Sequence, residues 1–139
     1  KPGTEAMWPR ELTPDETARF ERGRATFEQV CAGCHQLSGQ GDPALAPPLR
    51  NSPFVLGDAK RAAKIVLHGL RGPVTLNGST WDGEMPAYNA SDDELASVLT
   101  YLRREWQHTS DPVTPELIRE VRAQNAKRTS AWSVDELGR

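Results

Sequence analysis

Two cysteines and a histidine stand together in the segment Cys31-Ala32-Gly33-Cys34-His35. Thiols and an imidazole at this spacing could bind a metal ion, act as a redox dithiol or attach a haem covalently. On a helix, positions i and i+3 lie on one face, so both thiols can reach the two vinyl groups at one edge of a porphyrin. The next residue is rotated by about 100°, which turns the His35 imidazole toward the iron. The segment is the attachment signature of c-type haem.

Three other interpretations of the two thiols compete with this one. A structural zinc site needs four ligands, and because the chain has only two cysteines, His68 or His108 would have to complete it. A redox dithiol of the thioredoxin type is expected in a βαβ setting, whereas this motif ends a predicted α-helix in an otherwise helical chain. Two inert buried cysteines would leave the adjacent histidine unexplained. The motif therefore favours a covalent haem.

An iron held by His35 has a sixth coordination position to fill. The chain offers two methionines, Met7 and Met85, and two further histidines, His68 and His108. Met85 lies in a predicted loop before the third helix, and the proline after it removes a backbone donor and stiffens the chain beside the thioether. We therefore expect Met85 to be the second ligand, although a methionine can also fill a gap in the core. Met7 is expected to serve packing, and the two histidines to be satisfied or at the surface.

The attachment motif comes at the end of the first predicted helix. The segment Thr13-Pro14-Asp15-Glu16 predicts its start, with Thr13 as N-cap and Glu16 closing a capping box, and the helix is expected to run to about Cys31. Gly23 lies on the apolar face, where it costs about 1 kcal/mol relative to alanine, so we expect a close crossing by another helix. The apolar stripe consists of Phe20, Phe27 and Val30.

A loop, a helix and a hairpin follow in the predicted order. Glycines and prolines keep residues 36–53 from forming regular structure. Asp58 can cap a second helix that runs to about His68, and Gly69 ends it. The dipeptide Asn77-Gly78 between short β-prone runs in residues 73–81 predicts a two-residue hairpin turn.

The third predicted helix has the clearest amphipathic pattern. Ser91 and Glu94 form a capping box at its start. Its apolar residues are Leu95, Val98, Leu99, Leu102 and Trp106. Beyond it, Thr114-Pro115 opens a fourth helix, and residues 131–137 add a short last turn. The fourth helix has a narrow apolar face of Leu117, Ile118 and Val121.

Composition narrows the class of protein. A chain of 139 residues suits one domain, and 17 basic against 19 acidic residues argue against a nucleic-acid partner. Two cysteines cannot staple a disulfide scaffold, and no apolar run approaches the ~20 residues that span a bilayer. With 37% hydrophobic residues, the core would form more easily around an added apolar group. Because the first residue is Lys1, we expect that a leader peptide or part of a longer protein has been lost.

From Thr13 to Trp106 the chain resembles a class I monohaem cytochrome c. The segment 31–35 matches the family's attachment site, and Met85-Pro86 before the last core helix matches its axial-ligand loop. Pro47-Pro48-Leu49 lies where the family has a Pro-x-Leu whose proline carbonyl accepts the histidine Nδ1–H.

The resemblance extends to the helix crossing and to the segment before the methionine. Gly23 and Phe27 fall where the family crosses its first and last helices, with Leu99 and Leu102 as counterparts. Residues 67–81 are similar to bacterial cytochrome domains found alone or fused to dehydrogenases and oxidases.

The resemblance implies a cytochrome c-like helical fold around one covalent haem c with its iron. Together with the short β-hairpin and the extra C-terminal helix predicted from the sequence pattern, the expected fold class is all-α. The arm and the tail depart from the family's minimal pattern. Three parts are expected: an N-terminal arm (1–12), a core (13–106) and a helical extension (107–139) packed on that core. Trp81 is expected either to hydrogen-bond a haem propionate or to form an aromatic wall. The metal ligands are then His35 and Met85. The cofactor-binding residues are Cys31, Cys34, His35, Pro47, Leu49, Trp81 and Met85.

The resemblance also implies a function, which is that of a one-electron carrier and not an enzyme. In a bacterial respiratory chain it would serve membrane-bound or periplasmic redox complexes, such as a terminal oxidase, as a periplasmic monomer without a transmembrane segment. A small haem enzyme or ligand sensor, in which Met85 leaves the iron, is one alternative. The other is a cytochrome domain excised from a dehydrogenase or oxidase subunit.

Overall fold

The computed structural model describes residues 10–138, which form a mostly helical chain with one β-hairpin. The predicted arm, including Met7, lies outside the described residues except for its last three positions. The elements in chain order are α1 (Pro14–Thr26), a π-helical turn (Phe27–Cys31), α2 (Ala32–His35), α3 (Pro53–Leu56), α4 (Ala59–His68), β1 (Leu70–Leu76), β2 (Ser79–Met85), α5 (Asp92–Arg104), α6 (Pro115–Gln124) and α7 (Val134–Leu137).

Two of the predicted helix starts illustrate how local sequence fixes the ends of elements. At α1 both arms of the capping box form, because the Glu16 amide donates to Thr13 Oγ1 at 3.2 Å and the Thr13 amide donates to the Glu16 carboxylate at 2.9 Å. At α5 the Glu94 amide donates to Ser91 Oγ at 3.1 Å, but the Glu94 carboxylate accepts from the Tyr88 hydroxyl instead of returning to Ser91. The second predicted box is therefore only half formed.

The first predicted helix is interrupted before the attachment motif. A π-helical turn spans Phe27–Cys31, and the side chain of Val30 is 46% exposed while Phe27 is fully buried. A π turn inserts an extra residue into the helix, which rotates the following positions away from the α-helical spacing. The prediction that Val30 continues the buried stripe is therefore wrong.

The close crossing expected at Gly23 is present between α1 and α5. A Cβ atom at this position would lie 2.0 Å from the carbonyl oxygen of Ser97 and 2.9 Å from the Cβ of Tyr101. The residues facing Gly23 are thus Ser97 and Tyr101, and not the predicted Leu99 and Leu102, which are buried in the main core. Because Gly23 has no side chain, the backbone of α1 can pack directly against the backbone of α5 at Ser97.

The hairpin is longer than predicted, and it changes the setting of the methionine. β1 and β2 pair antiparallel from Leu70–Met85 up to the two-residue turn, where Asn77 and Gly78 have φ angles of 53° and 82° as the Asn-Gly signal requires. Met85, predicted in a loop, is the last residue of β2. β2 has few apolar residues, so its sequence shows no alternating hydrophobic pattern that would predict a strand as long as this one. The full length of β2 depends on pairing with β1. The chain is thus largely helical with the predicted hairpin, whose strands are seven residues each.

A short helix, α3, which was not predicted from the sequence, begins at the last residue of the predicted loop (36–53) and is held by a buried arginine. Arg103 on α5 is 5% exposed and donates to the carbonyls of Val55, Gly57 and Asp111 at 2.8–2.9 Å. Burial lowers the pKa of Arg103. Its three hydrogen bonds, from Nε and Nη1, all go to backbone carbonyls. One side chain thus ties α5 to α3 and to the start of the C-terminal extension.

The C-terminal extension packs on the rest of the chain through α6. Ile118 and Val121 are fully buried in the same apolar cluster as Leu95 and Phe27. Among residues 10–138, no helix has both the length and the apolar character needed to cross a membrane.

The crossing generates the first prediction. Gly23→Ala should destabilise the protein by about 2–3 kcal/mol, because the added methyl group meets a backbone carbonyl that cannot rotate away. Chemical denaturation of the purified protein measures this. Gly33→Ala is the matched control, since a Cβ there meets nothing within 4 Å. Equal stability of Gly23→Ala and the unmodified protein would contradict the crossing as described.

Candidate haem-binding site

The attachment motif occupies one helical turn. Cys31 ends the π-helical turn and is half-buried, while Cys34 and His35 lie in α2, Cys34 exposed and His35 only 7% exposed. The turn ends at Gln36, whose φ of 68° redirects the chain into the following loop. Both thiols are free, so they are available for bonds to a cofactor.

The His35 imidazole is oriented by the carbonyl of Pro47. Its Nδ1 lies 2.9 Å from this oxygen, and because a carbonyl only accepts, Nδ1 carries the proton. Nε2 is then left with its lone pair, which is the form that binds a metal. Burial lowers the pKa of His35, against a smaller opposing effect of the Pro47 bond, so the neutral imidazole is favoured.

The loop that carries Pro47 is fixed by its own backbone and by one aromatic ring. The amide of Gly41 donates to the His35 carbonyl at 2.9 Å, and the amide of Leu49 donates to the Gly39 carbonyl at 2.8 Å. Gly39 has a φ of 73°, and a Cβ there would lie 2.5 Å from the Trp106 ring. Leu49 is half-buried against the core. The Pro47 carbonyl is therefore held by contacts on both sides of it.

His108 is engaged in the structure and cannot complete a metal site with the thiols as it stands. It is buried, with Nε2 accepting from the Asn51 amide at 3.0 Å and Nδ1 2.7 Å from the Leu102 carbonyl. No group of three or more metal-ligating side chains is found in the described part of the chain. These contacts give the zinc interpretation no support.

The thiol environment also disfavours a redox dithiol. Burial raises the pKa of Cys31 to about 11, with a further contribution from Cys34, so Cys31 is a protonated thiol at neutral pH. Reactive dithiols have a lowered pKa that supplies the thiolate. Cys31 therefore lacks the lowered pKa of an attacking thiol.

Met85 ends β2 on the hairpin. Its cross-strand partner is Leu70, and the preceding Gly69, with a φ of 85°, approaches so closely that a Cβ there would lie 2.5 Å from the Met85 carbonyl oxygen. Beyond Met85, the Tyr88 amide donates to the Val66 carbonyl on α4 at 2.7 Å. The methionine is thus held by backbone contacts on both sides.

Trp81 uses its indole N–H within the protein. Nε1 donates to the carbonyl of Asp42 at 2.9 Å, which ties β2 to the loop after the attachment motif. An indole has a single donor, so a propionate bond from Trp81 would require this contact to break. The sequence could not indicate this partner, because the two residues are 39 positions apart.

The donor set fits a covalently attached haem. Two free thiols three residues apart and a neutral imidazole whose Nδ1 is occupied supply the attachment points and one ligand. His35 and Met85 would hold the iron, and Cys31 and Cys34 the porphyrin edge.

Comparison with known proteins agrees with this chemistry. The profile of the Cytochrome c family matches residues 20–106, which is more than half of the chain. The chain is 31% identical over 103 residues to cytochrome c-552 of Thermus thermophilus, an alignment covering 67% of this chain and 79% of the relative. A second cytochrome c-552 of the same species gives the same identity over 103 residues, covering 67% of this chain and 70% of the relative. The chain therefore belongs to the cytochrome c family, whose cofactor is covalently bound haem c with its iron.

Proposed function

We propose that this protein is a one-electron carrier of a bacterial respiratory chain that delivers electrons to a larger redox complex such as a terminal oxidase. The observation that carries the proposal is the buried His35, which donates from Nδ1 to Pro47 and so leaves Nε2 with its lone pair for the iron, directly after the attachment thiol of Cys34 in the sequence. The bound haem supplies a one-electron iron couple.

The residues of this chain set how that couple is used. The bond to the Pro47 carbonyl fixes the His35 tautomer and makes the imidazole a more electron-rich ligand. The Met85 thioether, as the second ligand, favours ferrous iron and raises the reduction potential. With both positions filled there is no open site for oxygen or peroxide, so outer-sphere electron transfer is the chemistry that remains.

The proposed function includes a cellular location and an oligomeric state. Cytochrome c homologues are typically extracytoplasmic, and we place this protein in the periplasm as a monomer. Its core spans residues 13–106, and residues 107–139 form an extension on that core. Donor and acceptor are redox complexes in or at the membrane.

The surface around the attachment motif carries little charge. Residues 32–49 contain one charged side chain, Asp42, and residues 83–90 contain one, Glu84. Leu37 and Leu45 are 65% and 62% exposed in this region. A surface without lysines cannot steer an acidic partner, so we propose a small apolar contact with an apolar face of the redox complex, at the low end of interface sizes.

Replacing the methionine tests the ligand set. Met85→Ala should abolish the charge-transfer band between methionine sulfur and ferric iron, lower the potential and allow cyanide to bind readily, because the sixth position opens. Met7→Leu is the control and should leave all three unchanged. An unaltered spectrum in Met85→Ala, together with a disrupted one after substitution of Met7 or His68, would show that the assignment is wrong. Tight cyanide or carbon monoxide binding by the unmodified protein would favour a ligand sensor.

A salt series tests the apolar docking surface. Association with the oxidase should depend only weakly on ionic strength, since exposed charges are screened within about 8 Å at physiological salt and few charges lie in this surface. Stopped-flow oxidation of the reduced protein measures the rate. Leu45→Lys should slow association, whereas Glu116→Lys, at the start of α6 and outside these two segments, should not. A steep fall in rate with added salt would mean that charges elsewhere steer the encounter.

A further inference from the structure

Arg122 on α6 reaches the chain just beyond Met85. Its guanidinium donates to Asn89 Oδ1 at 2.6 Å, to the Ala90 carbonyl at 2.7 Å and to Asp92 Oδ1 at 3.0 Å. These acceptors lie at the end of the methionine segment, defined here as residues 85–91, and on the first residue of α5. Because the guanidinium is a planar fork, one side chain fixes three acceptors in a single geometry.

Trp132 contacts β1, the strand that pairs with the other end of the same segment. Its backbone amide donates to the Gly69 carbonyl at 3.0 Å, and its carbonyl accepts from the Arg71 amide at 2.7 Å, so that it pairs in parallel with Leu70. Leu70 is the cross-strand partner of Met85. The residue that pairs with the methionine is therefore held on its far side by the extension.

The Trp132 ring is itself immobilised by packing. It is 8% exposed, with the Arg128 guanidinium 3.5 Å and the Lys64 ammonium 5.1 Å from its centroid, and the His68 ring edge-on at 6.2 Å. Arg128 also bonds Glu136 at 2.9 Å. The indole Nε1 is buried without a hydrogen-bond partner in the described part of the chain, so contacts with the ring, and not its polar atom, set its position.

Between these two contacts the methionine segment has little structure of its own. After Met85, residues 86–91 belong to no helix or strand. Their backbone–backbone bonds run from the Tyr88 amide to Val66 at 2.7 Å, from the Ala90 amide to Tyr88 at 2.9 Å and from the Leu95 amide to Ser91 at 3.0 Å. The position of the segment therefore depends on neighbouring elements.

We infer that the C-terminal extension is a clasp on the methionine segment, in which Arg122 and Trp132 are positioning residues that keep the Met85 thioether at the iron. The inference rests on the proposed His/Met ligation. For the thioether to leave, the segment must open locally, and the cost of opening is set by the bonds that break. The clasp adds bonds to one end of the segment and to the strand that pairs with its other end, so it lowers the fraction of molecules in which the methionine leaves the iron.

The test is the rate at which cyanide binds the haem-loaded ferric protein, which reports departure of the methionine. Arg122→Gln should accelerate binding by about tenfold, since bonds from a charged donor to three acceptors are lost. The amide of Tyr88 should exchange its hydrogen faster by a similar factor. Trp132→Leu should change both rates in the same direction.

Two control variants separate the clasp from general stability. Arg119→Gln makes the same chemical change on the same helix, at an exposed position that does not contact the methionine segment, and should leave both rates unchanged. Ile118→Val lowers global stability by removing a buried methylene and should also leave them unchanged well below the melting temperature. The inference is overturned if Arg122→Gln behaves as Arg119→Gln does, or if Ile118→Val accelerates cyanide binding equally.

Failure of the ligand assignment can be recognised separately. If Met85→Ala binds cyanide no faster than the unmodified protein, the proposed ligation is wrong. Exchange of the Tyr88 amide then decides the clasp alone: acceleration in Arg122→Gln supports it, and an unchanged rate overturns it.

Discussion

The contact of α1 with α5 at Gly23 is the constraint on which the rest of the site depends. A Cβ at Gly23 would lie 2.0 Å from the Ser97 carbonyl oxygen, so the two helices can adopt this distance only because a glycine is present. The attachment motif follows the C-terminal end of α1, and the methionine segment precedes α5. One crossing therefore positions both segments that carry the proposed iron ligands, and a shift of the two helices there would displace these segments relative to each other.

The remaining elements act mainly by fixing side chains and carbonyls around this crossing. The loop after the motif brings the Pro47 carbonyl to His35 Nδ1, and Trp81 ties that loop to the hairpin. Arg103 joins α5 to α3 with bonds to backbone carbonyls alone. Polar groups buried in this way are satisfied by backbone atoms, which suits a site that must not rearrange when one electron arrives or leaves.

Local sequence signals predicted a large share of this structure. The capping box at Thr13, the Asp58 cap and the Asn77-Gly78 turn were predicted correctly, because each depends on residues within four positions of one another. The attachment motif is equally local. The hydrogen bond between His35 and Pro47 was implied by resemblance to the family, not by spacing.

Other features of the fold depend on contacts that cannot be predicted from the periodicity of the sequence. The π turn shifted Val30 to the surface, and pairing with β1 placed Met85 at the end of a strand. The Glu94 carboxylate accepts a hydrogen bond from the Tyr88 hydroxyl, so the second predicted capping box is only half formed. The contacts of Arg122 and Trp132 could not be predicted from the sequence, because their partners lie about 30 and 60 positions away along the chain.

The proposal on which this account depends is that His35 and Met85 would hold the haem iron. NMR of the reduced protein labelled with ¹³C in its methionine methyl groups tests it directly, because the chain contains two methionines. We expect one methyl signal shifted strongly upfield by the porphyrin ring current, retained in Met7→Leu, and a second at an ordinary position. Two ordinary signals, or loss of the shifted one in Met7→Leu, would contradict it.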